Sequence, residues 1–319
     1  MASAAPGRCC PASYGYGARA LAAPATLRAE TLLVAGGLYG NPEALERLLE
    51  LHAGEQGDKA LVFNGDFHWF DTDAHDFRRV TEGVLAHVAI RGNVETELAT
   101  PASGAGCGCG YPDWVGDAEV ERSNRILERL LRTAVAFPAL LERLGALPMH
   151  AVAEVGGERV AIVHGDAQSL AGWGFSQERL RTPEGRAAAA AALDAARVRV
   201  IASSHTCLPV LQSFGAAGAL VNNGSAGMPN FRGTRFGIAS RISVRPSRRA
   251  LYGARAGRLY VDALAIDYDA AAWERRFLAQ WPPGSEAHLS YHARIAGGPD
   301  YASADALREH LPGAGLAAA

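Results

Sequence analysis

Four side chains of metal-binding type stand at the ends of short apolar runs. Asp66 closes Val62-Phe63-Asn64-Gly65-Asp66, and Asn93 closes Ala89-Ile90-Arg91-Gly92-Asn93. His164 follows Val160-Ala161-Ile162-Val163, and His205 ends the run from Val198 through Ser203-Ser204. Each run has the length and composition of a buried strand. In an open α/β sheet, ligands gather outside the carboxyl ends of the strands, so these four residues can converge on one point. Together they offer two imidazoles and two oxygens, a set suited to Mn, Fe or Zn. One such ion lowers the pKa of a bound water. Singly each residue is weak evidence, because Gly-Asp after a strand is most often a turn and a lone histidine most often a satisfied core residue. The signal lies in all four, in this order, at strand ends.

The elements that must position them can be read in chain order. Thr31 to Ala35 is a short strand broken by Gly36-Gly37. Asn41 then has the character of a helix N-cap, with Pro42 at the first helical position and Leu45, Leu48 and Leu49 on one face. A second strand spans Ala60 to Asn64, a helix lies near Ala74 to Leu85, and a third strand covers Ala86 to Arg91. Strands and helices alternating at this rhythm predict an α/β layered fold with largely parallel strands. Ala99 to Gly116 departs from any regular pattern and reads as a loop insertion over roughly 99–122; a loop that long is functional or disordered. Val120 to Leu144 returns to helical spacing, interrupted at Pro138. Two strands around Gly156-Gly157 form a hairpin that ends at His164. An Ala-rich helix from Pro183 to Arg197 precedes the run ending at His205, and strands at Leu208–Gln212 and Ala219–Asn222 follow. Asn222 to Gly227 is a tight loop whose N–H groups can face an anion. Leu259 to Ile266 is strand-like and Ala271 to Leu278 a short helix; beyond Trp281 the pattern assigns little.

Composition narrows the function. A net charge of -2 lacks the basic excess that phosphate backbones or anionic lipid would require, so neither a nucleic-acid duplex nor a membrane is expected as partner. No apolar run approaches the roughly 18 residues of a membrane span, and residues 1–30 lack the pattern of a secretory leader, so a cytoplasmic location is expected. An oligomer is compatible with this composition. The five cysteines include adjacent Cys9-Cys10 and Cys107-Gly108-Cys109, which is no spaced disulfide framework and fits a reducing compartment. These four can share a structural ion if the N-terminal arm folds back; otherwise they are incidental thiols.

The order Gly-Asp, Gly-Asn, His-Gly, His-Thr and then Asn-x-Gly-Ser resembles the calcineurin-like metallophosphoesterases, and within them the small bacterial phosphodiesterase and diadenosine-tetraphosphatase-like branch. The resemblance covers roughly 31–269, flanked by an N-terminal arm (1–30) and a C-terminal extension (270–319). It implies a four-layer α-β-β-α sandwich. It also implies two divalent metal ions about 3.5 Å apart that activate a hydroxide against a phosphorus centre. Asp66 falls where the bridging aspartate stands, and Asn93, His164 and His205 where the second metal's ligands stand. The family's opening Asp-x-His is here Gly37-Leu38-Tyr39, followed by the usual Gly40-Asn41, and its closing histidine is Cys207. The residue after the asparagine, usually a histidine that assists the leaving group, is Val94, while Glu95 keeps its acidic position.

A metal-dependent phosphoesterase acting on a small phosphate mono- or diester is therefore expected, with one or two ions in a degenerate or rebuilt site. Cys207 is a candidate soft ligand. Tyr39 is a candidate iron ligand or phosphate donor, or else a filler of the space the metal left. His68, two residues beyond Asp66, is a candidate substrate or proton-transfer group. Asp71 and Asp166 are expected to be solvated or capping groups. The alternative is a non-catalytic metal- or nucleotide-binding relative acting in a complex; redox or transfer chemistry at an iron centre involving Cys207 is a third reading.

Overall fold

A computed structural model describes residues 5–308, so the outermost parts of the expected arm and extension lie outside the described residues. After two short 3-10 turns come β1 (Leu27–Ala29), β2 (Thr31–Ala35), α1 (Pro42–Gly54), β3 (Lys59–Asn64), α2 (Ala74–Leu85) and β4 (Val88–Ile90). A helical stretch follows, with α3 (Asn93–Ala99), α4 (Asp117–Ala134) and α5 (Pro138–Gly145). The middle of the chain forms β5 (His150–Val155), β6 (Glu158–Val163), α6 (Pro183–Ala196), β7 (Val200–Ser203), β8 (Val210–Ser213) and β9 (Ala219–Asn222). The remainder is β10 (Gly237–Ser243), β11 (Ala250–Ala256), β12 (Leu259–Ile266), α7 (Ala270–Gln280), α8 (Glu286–Gly297) and β13 (Leu307–Arg308).

Two sheets result, ordered β11-β12-β10-β2-β3-β4 and β1-β5-β6-β7-β9-β8-β13. The period-2 alternation of side chains explains why they stack with helices on both outer faces. Leu32, Val34 and Val62 of the first sheet meet Val160, Ile162 and Val200 of the second in a core between the sheets. The alternate residues Leu33, Ala35, Leu61 and Phe63 face α1, α2 and α4. On the far side Ala161, Val163 and Ile201 face Ala189, Ala192 and Leu193 of α6. The expected four-layer sandwich is therefore present. β2, β3 and β4 run parallel, as do β6, β7 and β9, while β10 and β12 add antiparallel strands.

Local signals act where the sequence places them. The Asn41 side chain accepts from the Ala44 N–H at 2.9 Å and Pro42 opens α1, satisfying a helix end that lacks intrahelical partners. Gly156 and Gly157 both have positive φ, the backbone that a two-residue hairpin with right-handed strand twist demands. Three expectations change. The arm is not wholly irregular, because β1 pairs with β5 and Leu21 enters the α6 core. Asn93 does not close the strand, which ends at Ile90, but opens α3, a helix the spacing did not predict. The part beyond 269 is not an appendage, since Trp273, Phe277 and Trp281 are fully buried in the same core as α1 and α2. Among the described residues no helix is long and apolar enough to cross a membrane.

Candidate metal centre

The carboxyl ends of β3, β4, β6 and β7 deliver Asp66, Asn93, His164 and His205 to one point. His164 Nε2 lies 3.2 Å from Asp66 Oδ2, 3.1 Å from Asn93 Oδ1 and 3.1 Å from His205 Nδ1. The orientation of each group is fixed from behind. His164 Nδ1 donates to the Asn64 carbonyl at 2.9 Å, and His205 Nε2 donates to the Cys109 carbonyl at 2.9 Å. The Asn93 amide nitrogen donates to the Cys107 carbonyl at 3.0 Å, which turns its oxygen inward. Four acceptor atoms thus face one another. Donors bound about 2.0–2.2 Å from a common ion lie roughly 3–3.5 Å apart, the spacing seen between His164 Nε2 and each of its three neighbours. Anchoring of each ligating imidazole by its second nitrogen is also what metal-binding histidines show. The residues present fit one divalent ion.

Electrostatics agree. Burial opposes ionisation of Asp66, but His164 foremost and then His205 hold its carboxyl below the usual range. Burial likewise works against charge on His164, and the Asp66 carboxylate outweighs it, so its pKa is raised. Burial, then the neighbouring His164, pushes His205 down to about 4. A proton on His164 Nε2 can serve one of its three neighbours at a time, whereas a cation among the four serves all of them.

Asp66 sits at a φ of 52°. Glu95, on the first turn of α3, holds that conformation: its carboxylate accepts from the N–H groups of Gly92, Asp66 and Phe67 at 2.8, 2.9 and 3.1 Å. Burial and the charge of Asp66 push the Glu95 pKa up, so this clasp works against the local field. Gly92 must be glycine because a Cβ there would collide with Asp66 Oδ1.

The other half of the site is built differently. A Cβ on Gly37 would meet the Tyr39 ring at 2.6 Å, so the tyrosine occupies the space that a side chain at 37 would take. The Tyr39 hydroxyl and the Cys207 thiol form a hydrogen bond at 2.7 Å. Burial drives the pKa of both groups upward, leaving a phenol and a thiol where an anionic ligand would be required. Cys207 also stands outside the cluster: the ligand atoms of Asp66, His164 and His205 lie within 4.8 Å of one another and its sulfur is not among them. Tyr39, Asp66 and Cys207 all have positive φ, uncommon for side-chain-bearing residues and costing of order 1–3 kcal/mol each at sites where surrounding structure enforces it.

His68 is the plainest correction. It is fully buried, its Nδ1 pairs with Asp71 at 2.6 Å and its Nε2 with the Thr81 hydroxyl at 3.0 Å, and its ring stacks on Phe77. It supports the loop after Asp66 from the helix side and does not face the cluster. Asp71 is buried rather than solvated and acts as a capping group, accepting from the Trp69 N–H at 3.1 Å. Asp166 does cap a loop, accepting from the Gln168, Ser169 and Gly174 N–H groups.

A cavity of about 60 Å³ opens beside the cluster, bounded by Asp66, Asn93 and His205 on one side and by Trp69, Tyr111, Trp173 and Tyr291 on the other. These aromatic walls had no signal in spacing, since they come from four separate segments. Cys107 and Cys109 are joined as a disulfide, contrary to the reading of incidental thiols, and the Cys109 carbonyl also accepts from Trp173 Nε1 at 3.0 Å. Cys9 and Cys10 do not join them; the Cys10 thiol meets the Ser169 hydroxyl at 3.1 Å.

No family model matches the chain, and no curated protein sequence matches it. Solved structures do. A hypothetical protein from Pyrococcus horikoshii OT3 superposes with a TM-score of 0.59 at 15% identity, over 85% of this chain and 99% of that one. A metallophosphoesterase from Sphaerobacter thermophilus superposes with a TM-score of 0.56 at 16% identity, over 85% of this chain and 100% of that one. With two stacked mixed sheets, helices outside both, and the strand ends gathered at a cluster of carboxylate, amide and imidazoles, the chain has the fold of the calcineurin-like metallophosphoesterases.

Proposed function

We propose that the protein is a metal-dependent phosphoesterase that works from a single divalent ion held by Asp66, Asn93, His164 and His205 and hydrolyses a small phosphate mono- or diester. One observation supports this reading: four inward-facing acceptors, with His164 Nε2 3.1–3.2 Å from the other three, at a spacing compatible with one shared ion. When bound, such an ion supplies Lewis acidity and activates water near neutral pH. The residues themselves do the rest. Asp66 contributes the charge that a cation requires, and Glu95 holds the Asp66 backbone in place. Among the described residues no lysine or arginine lines the cavity, so the ion would supply the positive charge at the cavity wall that attracts a phosphoryl group. Tyr39, kept protonated by burial, can donate from its hydroxyl to a phosphoryl oxygen in place of Cys207. The cavity has the volume of roughly two water molecules, so it admits only the reacting end of a substrate and the aromatic walls exclude solvent around it.

The filled first-metal position and the small cavity favour a second reading, a relative that binds an ion or nucleotide without turning it over. The test is hydrolysis of a panel of nitrophenyl phosphate mono- and diesters with Mn²⁺, with Asp66→Ala and His164→Ala in parallel. Turnover that vanishes in both variants supports the enzyme. Mn²⁺ bound without turnover supports the binder, and hydrolysis surviving in Asp66→Ala overturns the assignment.

A further inference from the structure

The three-residue segment Cys107-Gly108-Cys109 reaches the candidate centre from the irregular stretch, and it does so through backbone atoms. The Cys107 carbonyl accepts from the Asn93 amide and the Cys109 carbonyl from His205 Nε2, so one short turn orients two of the four candidate ligands. The disulfide closes this turn, whose end Cα atoms stand 5.4 Å apart, and the Gly108 N–H donates to the Ala105 carbonyl at 3.1 Å beside it. Gly108 at its apex has positive φ and lies against the Tyr14 hydroxyl and Glu97 side chain, where a Cβ would collide. The Cys107 N–H is held by the Asn124 side chain at 2.9 Å. Cys107 is fully buried and Cys109 is 7% exposed, its side chain forming part of the cavity wall.

We infer that the Cys107–Cys109 disulfide is a clamp that positions Asn93 and His205 for the ion, so that the affinity of the centre for a divalent metal depends on the redox state of this pair. A dithiol reductant opens it by exchange: two electrons and two protons convert the S–S bond to two thiols, and the reductant leaves as its own disulfide. With the bond open the turn can extend, the two carbonyls leave their donors, and the amide of Asn93 and the ring of His205 regain rotational freedom. Loss of such outer-shell partners costs about 10–100-fold in metal affinity. Cys107 and Cys109 are positioning residues in this scheme. The inference rests on the single-ion reading of the centre.

The experiment is Mn²⁺ binding followed by the electron paramagnetic resonance signal of the free ion, on full-length protein before and after treatment with a trialkylphosphine. Mn²⁺ is chosen because it prefers oxygen and imidazole to thiolate, so newly freed thiols do not mask the effect. The protein before treatment should show three free thiols and after it five. Affinity should fall about 10–100-fold on reduction, return on reoxidation, and stay low with or without phosphine in a Cys107→Ser/Cys109→Ser variant. Should that variant fail to fold, the wild-type comparison alone decides. Equal affinity in both redox states, with binding still lost in Asp66→Ala, overturns the clamp and leaves the centre standing. Five free thiols before reduction also overturn it. No Mn²⁺ bound by the oxidised protein overturns the reading of the centre, and the clamp with it.

Discussion

The two halves of the site were treated differently by this sequence. Asp66, Asn93, His164 and His205 keep both the donor atoms and the groups that aim them, down to the carbonyls behind each imidazole. Across the cavity, Gly37, Tyr39 and Cys207 contribute one aromatic ring, one phenol–thiol hydrogen bond and no anionic ligand. The second half has not collapsed or opened to solvent; it has been filled. An interior packed like an organic crystal does not tolerate space, and the ring of Tyr39 lies where a side chain at 37 would stand. On the proposed reading, fixed orientation on one side and close packing on the other separate a site suited to an ion from a region that fills space.

That contrast can be broken most directly by Asp66→Ala, which should abolish Mn²⁺ binding, a larger loss than the roughly 10–100-fold expected for any outer-shell change; titration of the free ion decides. Next in size is reversal of the filling. A Gly37→Asp/Tyr39→His/Cys207→His variant returns three ligands and removes the ring, and should raise bound metal from one ion per chain toward two by elemental analysis. Unchanged stoichiometry would mean that the backbone of this half, and not only its side chains, has moved away from metal binding. Gly37→Ala alone should destabilise the protein by about 1–3 kcal/mol, because it combines a φ of +62° with a contact of 2.6 Å to the Tyr39 ring. Denaturant unfolding measures it, and Mn²⁺ affinity should hardly change. His68→Leu should cost a similar amount, about 1–3 kcal/mol, by leaving the buried Asp71 carboxylate without its partner, again with metal binding retained. The smallest effect should be Tyr39→Phe, about 1 kcal/mol for the hydrogen bond to Cys207, and a fall in Mn²⁺ affinity there would place Tyr39 in the first half after all.

The same division describes what could be read before folding. The strands that carry the ligands, the N-cap at Asn41 with Pro42, the Gly156-Gly157 hairpin and the Ala-rich α6 follow from residue types at fixed local spacing, and the structure has each of them. α3 escaped notice because its seven residues are too few to show a helical period and its first turn is capped from Gly92, which carries no side chain. α8 escaped because its apolar pattern is weak, and most of its residues are exposed or half-buried. His68 was misplaced for a different reason. Its distance of two residues from Asp66 suggested a shared site, but the reversal of the chain at Asp66 sends it toward Asp71, Thr81 and Phe77 instead.

The sequence by itself determined which strands exist and that their carboxyl ends bear a carboxylate, an amide and two imidazoles, because these depend on local periodicity and residue identity. Only the tertiary structure decided that the four acceptors face one point, that Tyr39 fills the space beside Gly37, and that the carbonyls of Cys107 and Cys109 aim Asn93 and His205. A backbone carbonyl has no letter of its own, and a contact between residues a hundred positions apart is set by how the two sheets pack and where the loops between them return.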